Sequence, residues 1–150
     1  GTICTDPAIV YISVRPERYS YNMIKETGEF VINLTTKELA RKTDFAGVRS
    51  GRDLDKFDKL KLTKEKANKV KAPLIKESPV NIECKVTEIK ELGSHHMFIA
   101  KVLAVDIDEK YLDEKGKFCL EKANLITYSH GEYYEQGKNI GKFGFSVKKK

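Results

Sequence analysis

Ala8 to Val14 form an apolar run rich in Ile and Val behind an Asp6-Pro7 turn, which predicts a buried strand. The chain turns polar at once, at Arg15, Pro16, Glu17 and Arg18. A short helix is expected from Tyr19 to Glu26, stopped by Gly28, and a second apolar strand from Phe30 to Leu34. Thr35 and Glu38 have the capping-box spacing and predict a helix from Thr36 to Lys42. Asp44 to Gly51 reads as a loop, with Gly47 and Ser50-Gly51 as turn signals. Asp53 to Leu60 reads as a helix with Leu54, Phe57 and Leu60 on one side. Leu62 to Ala72 is rich in Lys and reads as a solvated, partly helical excursion.

From Pro79 the period changes. Val80, Ile82, Cys84 and Val86 alternate with Asn81, Glu83, Lys85 and Thr87, the pattern of a half-buried strand. Glu91 to Ser94 forms a turn, and a long strand is expected from His96 to Asp108, apolar on both faces around Ala100 to Val105. Two long strands joined by a short turn make a hairpin, and a doubly buried strand in an antiparallel sheet points to a barrel. Asp113 to Lys117 is a further turn, Ala123 to Tyr128 a short apolar segment, and Tyr128 to Phe145 an aromatic, Gly-rich tail. With no repeat or linker, the chain is expected to form one mainly β domain with helices inserted between strands.

At 150 residues the chain can bury a core. No apolar run is long enough to span a membrane. The net charge of +6 is spread over Lys interleaved with Glu, and only Lys148 to Lys150 form a run. That balance favours anionic ligands without making a nucleic-acid stripe. Cys4, Cys84 and Cys119 are far apart and odd in number, which argues against a disulfide framework or zinc site and fits a reducing cytoplasm. Cys84 reads as core. The chain opens on Gly-Thr-Ile-Cys without Met, so part of the first strand is expected to precede Gly1.

Three stretches are polar in ways a core does not need. Ser13, Arg15, Arg18 and Ser20 cluster at a strand-to-helix junction, where free N–H groups and the helix dipole favour an anion. The alternative there is a helix cap with solvated arginines. Arg49, Ser50, Gly51, Arg52 and Lys56 form the second, which is either an anion-binding turn or a Ser-Gly helix cap. The third is Gly93-Ser94-His95-His96 at the hairpin, where adjacent histidines point to opposite faces and make no metal site. No nucleophile elbow, HExxH, P-loop or Rossmann fingerprint is present, so any chemistry belongs to a cofactor.

Taken together, DPAIVYISVRPERYSYNMIKETGEFVINL, DFAGVRSGRDLDKF and GSHHMFIAKV resemble the flavin reductase-like FMN-binding proteins, close to their flavoredoxin branch. The resemblance covers nearly the whole chain. It implies a split β-barrel of Greek-key antiparallel strands, a homodimer with FMN at the interface, and NAD(P)H as transient hydride donor. By position it puts Gly1 and Thr2 on the strand touching the flavin ring, and Ser13, Arg15, Arg18 and Ser20 on the stretch holding the phosphate. Asn33 falls near the cofactor, and Ser50, Gly51 and Lys56 on the loop and helix that close over it. His95 matches a histidine that in some relatives lies near the nicotinamide. Two other functions stay open at this point. One is an FMN electron carrier that serves a redox partner protein and uses nicotinamide little. The other is a basic barrel binding nucleic acid, which the scattered charge disfavours.

Overall fold

The computed structural model describes residues 2–147, so Gly1 and the lysines 148–150 lie outside the described residues. Among the described residues, nine strands, β1 (Thr2–Thr5), β2 (Ala8–Val14), β3 (Glu29–Asn33), β4 (Lys64–Glu65), β5 (Leu74–Ile75), β6 (Val80–Glu91), β7 (His96–Ile107), β8 (Ile126–Ser129) and β9 (Glu132–Glu135), are set among three α-helices. The helices are α1 (Tyr19–Thr27), α2 (Ala40–Val48) and α3 (Lys56–Leu60). The main sheet is antiparallel in the order β1-β2-β7-β6-β3. The strands β3, β6 and β7 follow one another, and β2 lies beside β7, which is a Greek-key order. Hydrogen bonding stops at β1 and β3, which form the two edges of the sheet among the described residues.

The expected helix stop is seen at Gly28. Its φ is +65°, and its N–H donates to the Ile24 carbonyl at 2.8 Å, closing α1 in the left-handed conformation that glycine adopts without strain. The first core cluster packs Tyr21 of α1 on Phe30, Cys84, Phe98 and Ala100 of the sheet. Burial pushes the Cys84 thiol up to about 11, as fits a core residue.

Three expectations are corrected. The helix predicted over 36–42 begins at Ala40 and runs to Val48, through residues read as a loop. Thr36, not Thr35, accepts the Leu39 N–H, at 3.3 Å, and Gly47 falls in the last turn of the helix, where it ends nothing earlier. The helix predicted from Asp53 starts at Lys56 because the Asp55 carboxylate caps it, accepting the N–H groups of Phe57 and Asp58. The third concerns which strand is buried on both faces. Leu103 and Val105 of β7 are exposed, whereas Asn81, Glu83 and Cys84 at the start of β6 are all buried.

The excursion over 62–72 explains the last point, because it docks on the sheet. Ala67, Val70 and Leu74 form a second core cluster against Val31. The fully buried Glu83 carboxylate anchors it, accepting the backbone N–H groups of Asn68, Lys69 and Val70 at 2.7, 2.6 and 2.9 Å. Those three bonds hold its pKa low against the opposing effect of burial. Beside it, burial first and then the Glu83 carboxyl push the Asp106 pKa up. Among the described residues no helix is long and apolar enough to cross a membrane.

Candidate functional site

After β2 the chain folds into a turn in which the Arg18 N–H donates to the Arg15 carbonyl at 3.0 Å. Arg18 then enters α1 as its N-cap, and no side chain caps this end. The unmet N–H groups of a first helical turn favour an anion. The last turn of α2, the segment over 49–55 and α3 face this junction from the other side. Between them lies a cleft of about 1240 Å³. Six residues singled out from the sequence line it: Arg15, Arg18, Ser20, Ser50, Gly51 and Lys56. The fold thus brings together stretches that are some thirty residues apart.

Arg18 and Lys56 meet at the C-terminal end of α2. Lys56 Nζ donates to the Ala46 carbonyl at 2.5 Å, and Arg18 Nη1 to the Gly47 carbonyl at 3.4 Å. The last turn of α2 has no basic residue of its own, so these cations complete it and are themselves positioned by it. Burial, and then the Arg18 charge, lower the Lys56 pKa. Arg15 Nε pairs with Glu17 at 2.6 Å in an exposed ion pair that contributes little to stability. The Glu17 carboxyl lies below the usual range, held there first by its own backbone N–H and also by Arg15.

The Ser50–Arg52 turn is fixed by two contacts. Ser50 Oγ accepts the Arg52 N–H at 3.1 Å. The Tyr19 ring packs against Gly51 so tightly that an added Cβ would lie 2.8 Å from its Cδ1 atom. The Arg52 guanidinium stands 5.7 Å from the Tyr19 ring centroid, and its Nη1 donates to the Glu17 carbonyl at 3.3 Å.

Met23, Ala46, Leu54, Phe57 and Pro73 supply apolar lining. Among the described residues, none of the main sheet lines this cleft, because the turn at Arg15 carries the chain off the sheet. Leu54 and Phe57 were legible as an apolar helix side, but not as facing a cleft. Tyr19, Met23 and Lys64 gave no signal of their own.

Among the described residues, the remaining candidates do not line the cleft. Gly1 lies outside the described residues, and Thr2 is exposed on β1. Ser13 is exposed on β2 opposite Met97, two residues before Arg15. Asn33 faces a smaller cavity beside Ser78 and Lys42, and its side chain accepts the Ile75 N–H at 3.2 Å. That bond ties β3 to β5, a structural task that its end-of-strand position did not announce. His95 is exposed at the hairpin tip, with Ser94 Oγ 3.0 Å from its Nδ1. Its neighbour His96 turns inward, its Nδ1 2.8 Å from the Tyr21 hydroxyl. Among the described residues, no group of three or more His, Cys, Asp or Glu is placed to hold a metal ion.

Residues 1–136 match the model of the flavin reductase like domain. The chain belongs to the flavin reductase-like family. Flavoredoxin of Desulfovibrio vulgaris (Miyazaki F) superposes with a TM-score of 0.92 at 32% identity, covering 99% of this chain and 80% of that one. Flavoredoxin from Methanosarcina acetivorans superposes with a TM-score of 0.86 at 28% identity, covering 99% of this chain and 81% of that one. An Archaeoglobus fulgidus protein is 38% identical over 134 residues, which is 89% of this chain and 71% of its own length. These likenesses set the chain in the flavoredoxin branch of the family, with its split β-barrel fold.

Proposed function

We propose that this flavin reductase-like protein binds FMN and passes electrons from NAD(P)H through it to a downstream acceptor. The observation that carries the reading is the gathering of Arg15, Arg18, Ser20 and Lys56 at the uncapped start of α1, beside an apolar-lined cleft. The residues fit the group. A phosphate dianion suits guanidinium, ammonium and hydroxyl donors together with free helix N–H groups. Met23, Leu54 and Phe57 suit a flat, largely apolar ring. When bound, the flavin supplies the hydride and electron chemistry. The protein's part is to fix the phosphate, exclude water along the apolar lining and leave the ring reachable. Arg18 and Lys56 enter this task already oriented by the α2 carbonyls, so little side-chain freedom is lost on binding. A second copy of the chain is the proposed partner, as the family resemblance implies, and His95 at the exposed hairpin tip is the proposed residue on the nicotinamide side.

The test is a visible spectrum of the purified protein, followed by anaerobic NAD(P)H. Flavin absorbance that bleaches is the expected result, and colourless protein that ignores added FMN overturns the reading. Arg15→Ala tests the site itself. The side chain is exposed and its ion pair weak, so the fold is kept. FMN retention weakens by about 1.5–3 kcal/mol, the range for a hydrogen bond to a charged group. Unchanged affinity removes Arg15 from the phosphate set.

A second reading keeps the flavin but takes electrons from a partner protein. The likeness to flavoredoxin at 32% identity favours it. Slow bleaching by NAD(P)H beside fast exchange with a redox protein would support this reading over the first.

A further inference from the structure

The cleft holds more positive charge than one phosphate needs. Arg15, Arg18, Arg49, Arg52, Lys56 and Lys64 line it, against the carboxylates of Glu17 and Asp55. Four of the six cations have engagements that fix them. Arg15 pairs with Glu17, and Lys64 Nζ lies 3.5 Å from Asp55. Arg18 and Lys56 are tied to the α2 carbonyls. Arg49 is different: it makes no side-chain hydrogen bond or ion pair among the described residues. Arg52 spends one nitrogen on a backbone carbonyl and meets no carboxylate. The two flank the Ser50-Gly51 turn, in which Ser50 Oγ accepts the Arg52 N–H and the Tyr19 ring packs on Gly51. A guanidinium beside an aromatic face, at 5.7 Å, also offers flat surface to a purine.

A cleft of about 1240 Å³ exceeds the usual range of roughly 300–1,000 Å³ for a site that takes one small molecule. Two guanidiniums that meet no carboxylate, one on each side of a single turn, mark a second anion position in that space. We propose that Arg49 and Arg52 receive the 2′-phosphate of a bound adenosine 2′-phosphate unit, with the Tyr19 ring beside its purine, so that the protein selects NADPH over NADH. This rests on the reading of a nicotinamide-reduced flavoprotein given above. The physical basis is bidentate charge-assisted bonding, which guanidinium offers and the 2′-hydroxyl of NADH cannot draw on fully.

The experiment uses flavin-loaded protein and two measurements. Calorimetric titration compares 2′,5′-ADP with 5′-AMP, without turnover. Anaerobic stopped-flow then compares flavin reduction by NADPH and by NADH. Parent protein is expected to bind 2′,5′-ADP at least tenfold more tightly than 5′-AMP, since each lost charge-assisted bond is worth about tenfold or more. In Arg49→Gln/Arg52→Gln that preference disappears, and the NADPH-to-NADH ratio of kcat/KM falls at least tenfold, through KM. Flavin content stays that of the parent.

Equal binding of the two adenosine nucleotides by the parent overturns the inference, even where NADPH reduces the flavin. So does a double variant that loses flavin, because Arg49 and Arg52 then belong to the flavin phosphate. If 2′,5′-ADP binds with the stated preference but neither nicotinamide reduces the flavin, the hydride reading fails and the adenosine 2′-phosphate site stands.

Discussion

A Cβ on Gly51 would press on the Tyr19 ring at 2.8 Å, and the ring is half-exposed, so it can swing away. The space open to it is the cleft that it lines. Gly51→Ala therefore changes stability by less than about 1 kcal/mol, in the range of surface changes, yet narrows the cleft and weakens FMN retention several-fold. Added to Tyr19→Ala, the same substitution has no further effect on retention, because the clash has gone; a double-mutant cycle reads this directly. Equal losses in both backgrounds would instead assign Gly51 to backbone contact with the ligand. Ser50-Gly51 was visible in the sequence as a turn. That the glycine is fixed by a tyrosine some thirty residues earlier was not, since the two meet only after α1 and the segment over 49–55 have packed.

The excursion between α3 and β6 depends on a carboxyl pair at its element boundary. Glu83 accepts three backbone N–H groups, and Asp106 takes the Asn68 amide on its Oδ1 at 2.6 Å while its Oδ2 is buried and meets no donor among the described residues. A proton on that Oδ2 satisfies it against Glu83. Asp106 is thus protonated to higher pH in the fold than in the open chain, and the stability it contributes at low pH is lost as pH rises through the raised value. Glu83 works oppositely, contributing above its unfolded value and losing as pH falls through its lowered one. Asp106→Asn keeps the acceptor for Asn68 and gives Glu83 a permanent N–H donor. The variant should melt at higher temperature than the parent at pH 8, with the gap closing toward pH 4. Parallel profiles would show that the pair does not share a proton. Asn81 and Glu83 alternate with apolar residues, so the sequence placed them on a solvent face. The face is covered by a segment whose own Lys-rich composition reads as solvated, and neither half of that contact shows its partner in sequence.

Across the whole molecule, apolar surface is left uncovered in one copy. Leu103 and Val105 on β7, and Ile140, Phe143 and Val147 in the tail, are all exposed. Exposed apolar surface of this kind marks association where it is contiguous. Sedimentation equilibrium should give twice the 17.1 kDa chain mass, and Phe143→Ser with Ile140→Ser should shift the equilibrium toward the monomer. A single-chain mass for the parent at micromolar concentration would remove the homodimer from the account.

Local pattern alone determined the strand before Arg15, the helix closed by Gly28, the long hairpin of β6 and β7, and the two polar turns that carry Arg15, Arg18, Ser50 and Lys56. Each rests on periodicity, capping or a charge cluster, all of which act within a few residues. Tertiary structure decided that the two turns face one cleft, that α2 lends its carbonyls to Arg18 and Lys56, that Asn33 braces β5, and that Glu83 is buried under residues 68–70. These depend on contacts between segments far apart in the chain, whose formation is governed by packing and by buried polar groups finding partners, and no local signal encodes the partner.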